Sequence, residues 1–88
     1  MFEPQKALEG MRRNWFRAEI LGLLAKASIA TDTQARHTLD QQIWNILGKH
    51  GVAPSVEDGT LRHAFCEFGE NFSLYSELVE LRLESIPG

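Results

Sequence analysis

The sequence predicts an all-α fold: a compact bundle of three to four short antiparallel helices that forms a single helical domain over residues 1–88. Three observations lead to this prediction. Apolar residues recur every three or four positions in four segments, as they do along one face of a helix. No stretch alternates apolar and polar residues for long, so the signals for strands are poor. The segments are joined by loops of about 3–6 residues, which favour antiparallel neighbours.

The first helix is predicted from about Pro4 to Ala27 or Ile29. Proline suits the first turn, where the N–H that it lacks would have no partner. Two neighbouring apolar stripes run along this segment, and together they are wider than one partner helix needs. The first stripe consists of Leu8, Met11, Trp15 and Ala18, and the second of Phe16, Ile20, Leu23, Leu24 and Ala27. A row of small residues is formed by Ala18, Gly22 and Ala25, where another backbone could approach closely.

The second helix is predicted to begin at Thr31, whose side chain would accept the N–H of Gln34 in a capping box. Its end is predicted at Gly51, because glycine readily takes the left-handed conformation that terminates helices, and Pro54 prevents continuation. The apolar stripe between these ends consists of Ala35, Leu39, Ile43, Ile46 and Leu47.

The third helix is predicted to begin after Ser55, which would act as its cap with Asp58 three residues on, and to stop at Gly69. The fourth is predicted to start near Asn71 or Ser73. The buried face of the third helix is predicted to hold Leu61, Ala64, Phe65 and Phe68. The apolar side of the fourth is predicted to hold Leu74, Leu78 and Leu81, with Tyr75 and Val79 beside them. An acidic outer stripe on the fourth is formed by Ser73, Glu77, Glu80 and Glu84.

Composition and charge indicate a small core and a need for partners. Leu, Ile, Val and Phe make up 24 of the 88 residues, which supports a packed core, but a domain of this length is often marginal alone. The net charge of −3 excludes a global basic field for nucleic acid. Residues 1–50 carry +2 and residues 51–88 carry −5. Either the two halves attract each other, within the fold or across a dimer, or the acidic half meets a basic partner.

The sequence predicts a cytoplasmic protein that does not enter a membrane. Its single cysteine, Cys66, cannot form an internal disulfide, which suits a reducing compartment. The first residues do not resemble a signal peptide. The longest apolar run, residues 20–25, is far shorter than the roughly 20 residues that cross a bilayer.

No motif predicts catalysis, a cofactor or a metal site. His63 and Cys66 lie three apart with Glu67 beside them, but a zinc site needs four ligands, so these residues make half a site at most. A nucleophilic Cys–His pair also needs an oxyanion hole, and no glycine-rich loop or strained turn supplies one. The chain is therefore predicted not to be an enzyme.

One stretch resembles a helix-turn-helix. It runs from Ile46 (Ile-Leu-Gly-Lys-His-Gly-Val-Ala-Pro-Ser) to a segment ending at Phe65 (Gly-Thr-Leu-Arg-His-Ala-Phe). The resemblance implies a DNA-binding regulator in which Arg62 and His63 face the DNA. The chain departs from the pattern in its turn, which is lengthened and places acidic residues where phosphates would repel them.

The predicted function is that of a small non-catalytic protein–protein interaction module: an adaptor, inhibitor or assembly factor acting through an apolar helix face and segregated charge. A homodimer is expected. Two alternatives stay open, the DNA-binding regulator and an acidic decoy that blocks a nucleic-acid-binding protein. The predicted partner-binding residues are Arg12, Arg13, Trp15 and Arg17 on one face and Glu77, Glu80 and Glu84 on the other.

Overall fold

Four helices follow one another along residues 4–86, the part of the chain that the structure describes. They are α1 (Pro4–Ile29), α2 (Thr33–Lys49), α3 (Val56–His63), which continues into a π-helical segment (Ala64–Phe68), and α4 (Phe72–Glu84). This computed structural model describes the backbone of residues 4–86 and the side chains of residues 15–86. No strand occurs in that backbone, and the predicted all-α bundle is confirmed.

The core lies where α2 meets all the other elements. α2 packs against α1 on one side and against the π segment on the other, while α4 contacts both α3 and α1. α1, α2, the π segment and α4 contribute apolar side chains to one continuous cluster, whereas the residue that α3 buries is the charged Asp58. The buried members of the cluster are Ile20, Leu24, Ala27, Ile43, Trp44, Leu47, Phe65, Cys66, Tyr75, Val79 and Leu83.

The start of α2 differs by one residue from the prediction. Asp32, and not Thr31, is the N-cap, and its carboxylate accepts the N–H of Ala35 at 3.1 Å. A carboxylate satisfies the free N–H group as a hydroxyl would, and its negative charge also interacts favourably with the positive end of the helix dipole. The charged residue is therefore the better cap at this turn.

The end of α2 is confirmed as predicted. Gly51 adopts φ +83°, a backbone conformation that side-chain-bearing residues rarely take. The N–H of Val52 donates to the carbonyl of Leu47 at 3.0 Å, and the N–H of Gly51 donates to Gly48 at 3.1 Å. This pair of bonds satisfies the last carbonyls of the helix and directs the chain toward Pro54.

The start of α3 is a reciprocal capping box. The Ser55 hydroxyl accepts the N–H of Asp58 at 3.2 Å, and the Asp58 carboxylate accepts the N–H of Ser55 at 2.9 Å. Asp58 is fully buried, and Arg82 of α4 donates to both of its carboxylate oxygens at 3.2 Å. Burial acts to raise the pKa of Asp58, but the hydrogen bonds from Ser55 and Arg82 outweigh it and hold the pKa below 3.8. One carboxylate thus caps α3 and ties it to α4.

The predicted buried face of the third helix is wrong at its C-terminal end. Phe65 is buried, but Phe68 is 66% exposed and Cys66 is buried instead. The π-helical hydrogen bonding of residues 64–68 places more residues in each turn, so it rotates the following side chains away from the α-helical register. Gly69, with φ +66°, ends the segment at the predicted position.

The predicted apolar side of α4 is wrong in part: Tyr75 and Val79 are buried as predicted, and Leu78 packs partly buried against the core, but two of the predicted leucines are exposed. Leu74 and Leu81 are 50% and 63% exposed, and the residues that α4 buries are Tyr75, Val79 and Leu83. The helix is rotated because two of its polar groups have buried partners. The Tyr75 hydroxyl reaches a carboxylate on α2, and the Arg82 guanidinium reaches the carboxylate at the start of α3.

We predict that Asp58→Ala lowers the free energy of unfolding by about 2–4 kcal/mol, because it removes the cap of α3 and leaves Arg82 without its buried partner. Urea titration followed by circular dichroism measures the loss. Glu57→Ala is the matched control, since Glu57 lies in the same turn and is exposed. Equal stability of the two variants would contradict the structural role given to Asp58.

We also predict an acid-sensitive contribution from Asp58. Because its pKa is lowered in the folded state, the ionised group stabilises the fold above the ordinary pKa and loses this contribution as pH falls through the folded-state pKa. The unfolding free energy of the wild type should therefore drop more steeply below about pH 4 than that of Asp58→Asn. Glu57→Gln should keep the wild-type slope.

Candidate functional site

The densest cluster of polar side chains surrounds Asp40 in the core. Asp40 is 4% exposed, and its carboxylate accepts the Tyr75 hydroxyl at 2.7 Å. Arg62 donates to the same carboxylate through Nε at 3.1 Å and through Nη2 at 3.0 Å. The indole Nε1 of Trp44 donates to the Tyr75 hydroxyl at 3.2 Å. Residues of α2, α3 and α4 thus meet at one carboxylate.

The surroundings of Arg62 and Tyr75 favour the protonated form of both side chains. Burial acts to lower the pKa of Arg62, but the hydrogen bonds and charge of Asp40 outweigh it and raise the pKa above its ordinary value. Burial, and then the hydrogen bond to Asp40, raise the pKa of Tyr75. Among the described side chains, every buried nitrogen and oxygen has a hydrogen-bond partner. The network therefore positions three helices and holds no spare group for general acid or base chemistry.

A shallow pocket opens beside this network, lined by His37, Asp40, Gln41, Gly59, Arg62, His63 and Cys66. His37 Nε2 lies 2.9 Å from Glu67 Oε1, so the carboxylate predicted to accompany His63 is paired with another histidine. The His63 ring packs edge-on against Phe68, with 5.7 Å between ring centroids. Within residues 15–86, no group of three or more His, Cys, Asp or Glu side chains is arranged to hold a metal ion.

Cys66 lies in this pocket wall as a packing residue. It is 2% exposed. Burial, followed by the nearby charge of Asp40, raises its pKa to about 11. Because the thiolate is the reactive form, a raised pKa makes the thiol a poor nucleophile and a poor metal ligand.

The arginine that the helix-turn-helix resemblance would place on DNA is already engaged. Arg62 forms the two-point ion pair with Asp40, and its guanidinium lies 5.1 Å from the centroid of the Trp44 ring. The turn before it runs from the end of α2 at Lys49 to the start of α3 at Val56. An arginine in this arrangement supports the core and offers little of its charge to a phosphate.

The outer face of α1 is apolar and exposed. Trp15 and Ile29 are 78% and 81% exposed, and Ala18, Gly22 and Ala25 are exposed between them. The second predicted stripe of α1 supplies the core, with Ile20, Leu24 and Ala27 buried. Of the predicted partner-binding residues, the side chains of Arg12 and Arg13 lie outside the described residues, as do those of Leu8 and Met11.

Residues from the two predicted binding faces, Arg17 on one and Glu80 and Glu84 on the other, lie close together between α1 and α4. A shallow groove there is lined by Arg17, Leu21, Glu80, Leu83 and Glu84. Arg17 lies two residues from Trp15, which on a helix places the two side chains on different sides. Arg17 therefore belongs with the acidic residues of α4, while Trp15 belongs to the outer face of α1.

Helix α4 presents three faces. Tyr75, Val79 and Leu83 form the buried one. The other two faces point outward: an apolar face with Leu74 and Leu81, and an acidic face with Glu77, Glu80 and Glu84. They border each other in a second shallow groove, which is lined by Leu81 and the three glutamates. We call this region the α4 outer surface; its members are Leu74, Leu81, Glu77, Glu80 and Glu84, all exposed.

The exposure of Leu74 and Leu81 was not predicted from the sequence, because the 3–4 spacing of the leucines is typical of one apolar side of a helix. Tyr75 and Arg82 are the residues from which the inward side of α4 could have been predicted. The Tyr75 hydroxyl is buried and needs a partner, and the half-buried Arg82 guanidinium pairs with a buried carboxylate, so the side of α4 that carries them faces the rest of the protein.

Comparison with known proteins does not assign a function. No protein family, no curated protein and no solved structure matches the chain. None of the described helices combines the length and the apolar character that a bilayer crossing requires.

We predict that Cys66 in the folded protein reacts with iodoacetamide at pH 8 at least about 100-fold more slowly than in urea, because burial both hides the thiol and suppresses the thiolate. Quenched reactions read by mass spectrometry give the rates. An exposed thiol created by Ser73→Cys in a Cys66→Ala background should react at the unfolded rate. Fast labelling of native Cys66 would contradict its packing role.

Proposed function

We propose that the chain is a non-catalytic protein–protein interaction module whose binding surface is the α4 outer surface. The observation that carries this proposal is the pair of exposed leucines two helical turns apart, Leu74 and Leu81, bordered by three exposed glutamates. Large apolar side chains that stay in water on an otherwise well-packed helix are typical of interaction sites.

The proposed partner is a protein segment that combines apolar side chains with Lys or Arg. Burial of Leu74 and Leu81 would supply affinity, since apolar surface removed from water contributes roughly 25 cal/mol per Å² to the binding free energy. The carboxylates of Glu77, Glu80 and Glu84 would steer basic groups to the edge of the contact and exclude acidic competitors. An adaptor, an inhibitor and an assembly factor would all use such a surface.

The absence of catalysis is part of the same proposal. The buried carboxylate of Asp40 is saturated with donors, and burial raises the pKa of the Cys66 thiol to about 11. A reducing compartment such as the cytoplasm suits a chain whose one cysteine is free.

The test uses a fluorescein-labelled amphipathic helical peptide of leucine and lysine, with a shuffled peptide of the same composition as its control. We predict that Leu74→Ser with Leu81→Ser weakens binding by about tenfold or more, because two apolar contacts are lost. Fluorescence anisotropy gives the dissociation constants. Val56→Ser with Phe68→Ser is the matched control, since these apolar residues are 89% and 66% exposed on other elements.

Reversing charge separates this proposal from its alternatives. Glu77→Lys with Glu84→Lys should also weaken binding, and more at low salt than at high salt. A decoy for a nucleic-acid-binding protein would depend on the glutamates but tolerate serine at both leucines. A DNA-binding regulator would retard duplex DNA, and Arg62→Ala would abolish the retardation. Wild-type peptide affinity in both the leucine and the glutamate variants would overturn the proposal.

A further inference from the structure

The exposed residues on the outer face of α1 follow a heptad pattern. Trp15, Ala18, Gly22, Ala25 and Ile29 are separated alternately by three and four residues, the spacing with which two helices pack along a shared seam. The same spacing continues toward the N-terminus of α1 at the sequence positions of Met11 and Leu8. We call these seven positions the α1 seam.

The seam lies on the opposite side of α1 from the core. The buried residues Ile20, Leu24 and Ala27 fall between the seam positions in sequence, on the side that packs against α2 and α4. A Cβ atom built on Gly22 would meet nothing within 4 Å. Within one protomer, no other element therefore covers the central part of the seam, around Gly22.

Side-chain size changes along the seam in a way that specifies the occupant. The N-terminal half carries the bulky residues Leu8, Met11 and Trp15, whereas the C-terminal half carries the small residues Ala18, Gly22 and Ala25, followed by Ile29 at the end of the helix. A second copy in parallel orientation would place Trp15 against Trp15 and Gly22 against Gly22, which produces crowding at one end and a void at the other. Both defects are costly in a packed interface.

An antiparallel second copy removes both defects. With the two-fold axis between positions 16 and 17, Leu8, Met11 and Trp15 each face a small residue, and Ile29 faces position 4 at the start of the second α1. The three kinds of layer are Trp15 with Ala18, Met11 with Gly22, and Leu8 with Ala25 of the second copy, and each occurs twice. All 26 residues of α1 then overlap, over about 39 Å at 1.5 Å per residue.

Charge agrees with the same register. Arg12 and Glu19 each lie directly beside the seam, one heptad apart. The antiparallel register that matches large to small residues also places Arg12 of each copy beside Glu19 of the other copy, which gives two such pairs. In a parallel pair, Glu19 would lie beside Asn14 of the second copy and Arg12 beside Ala7, so no opposite charges come together. Size and charge thus select one orientation and one alignment independently.

We propose that the protein forms a homodimer through the α1 seam, with the two α1 helices antiparallel and Trp15 seated over Ala18 of the second copy. This proposal is independent of the α4 outer surface, which lies on another helix. The dimer presents that surface twice, so a partner with two suitable segments would bind with increased avidity.

The first experiment is sedimentation equilibrium of the full chain over a range of concentrations. The wild type should reach twice the protomer mass of 10.0 kDa. Gly22→Leu should raise the dissociation constant by about 100-fold or more, since the dimer meets the overpacked side chain twice. Gly48→Leu should leave it unchanged, because Gly48 is equally open but lies on α2.

The glycine variants also test whether a change in mass reflects a folding defect. Leucine is a better helix former than glycine, both glycines are exposed, and a Cβ atom at either position would meet nothing within 4 Å, so both variants should keep the ellipticity of the wild type. A wild type that stays at the protomer mass, or a Gly22→Leu variant that dimerises with wild-type affinity, would overturn the proposal.

Charge exchange tests the register. Arg12→Glu alone and Glu19→Arg alone should each weaken the dimer by about threefold to tenfold, because each places like charges together at two sites. The double exchange should restore wild-type affinity. A double variant no tighter than the single ones would show that Arg12 and Glu19 do not face each other, which rejects the register.

Disulfide trapping tests the orientation in a Cys66→Ala background that retains the wild-type dimer mass. Mixing Leu8→Cys protomers with Ala25→Cys protomers under mild oxidation should give the mixed disulfide as the main product. Ala25→Cys alone should remain uncrosslinked, because the two copies of residue 25 lie far apart in the antiparallel arrangement. Efficient crosslinking of Ala25→Cys to itself would indicate a parallel pair and reject the proposed geometry.

Discussion

The carboxylate of Asp40 is the constraint on which the rest of the structure depends. It lies on α2, accepts the hydroxyl of Tyr75 from α4, and receives two bonds from Arg62 of α3. A buried charge without these donors would cost several kcal/mol, so the three helices can come together only in orientations that bring the donors within reach. Apolar packing alone tolerates small rotations of a helix, whereas a hydrogen bond of 2.7 Å does not. The Phe65 ring stacks on Tyr75, with 4.4 Å between centroids, and so the π segment is aligned by the same phenol.

A second buried carboxylate fixes the far end of α4. Asp58 and Asp40 both accept an arginine from another helix, and the two arginines lie on α3 and α4. Because Tyr75 and Arg82 are seven residues apart, they lie on the same side of α4, and that side faces inward. The consequence reaches the surface: Leu74 and Leu81, which are also seven residues apart, are left outside next to the glutamates. The proposed docking surface therefore results from the polar groups in the interior.

The features that could be predicted from sequence were those set by neighbouring residues. Gly51 ends α2 and Ser55 caps α3 because the groups they satisfy lie within five positions along the chain. The prediction failed where a distant partner decided the outcome. The 3–4 spacing of the leucines on α4 is a correct helical signal, but it does not say which of two apolar stripes faces inward, and the hydrogen bond between residues 40 and 75 does. The π segment likewise depends on packing against α2 and leaves no local mark in the sequence. The side chains of Arg12 and Arg13 lie outside the described residues, so their placement in a binding face stays a prediction.

The two apolar sides of α1 pose a problem that a single protomer does not solve. One side is covered by α2 and α4, and the other exposes Trp15 and Ile29 to water. A helix with apolar residues on opposite sides is stable when it lies between two layers, and within the described residues one layer, formed by α2 and α4, packs on α1. In the proposed dimer, a two-fold axis would supply the second layer from the same helix. Because bulky residues lie toward one end of the seam and small residues toward the other, α1 is complementary in shape to a second α1 that runs in the opposite direction. Such a self-complementary surface closes a dimer and prevents open-ended assembly.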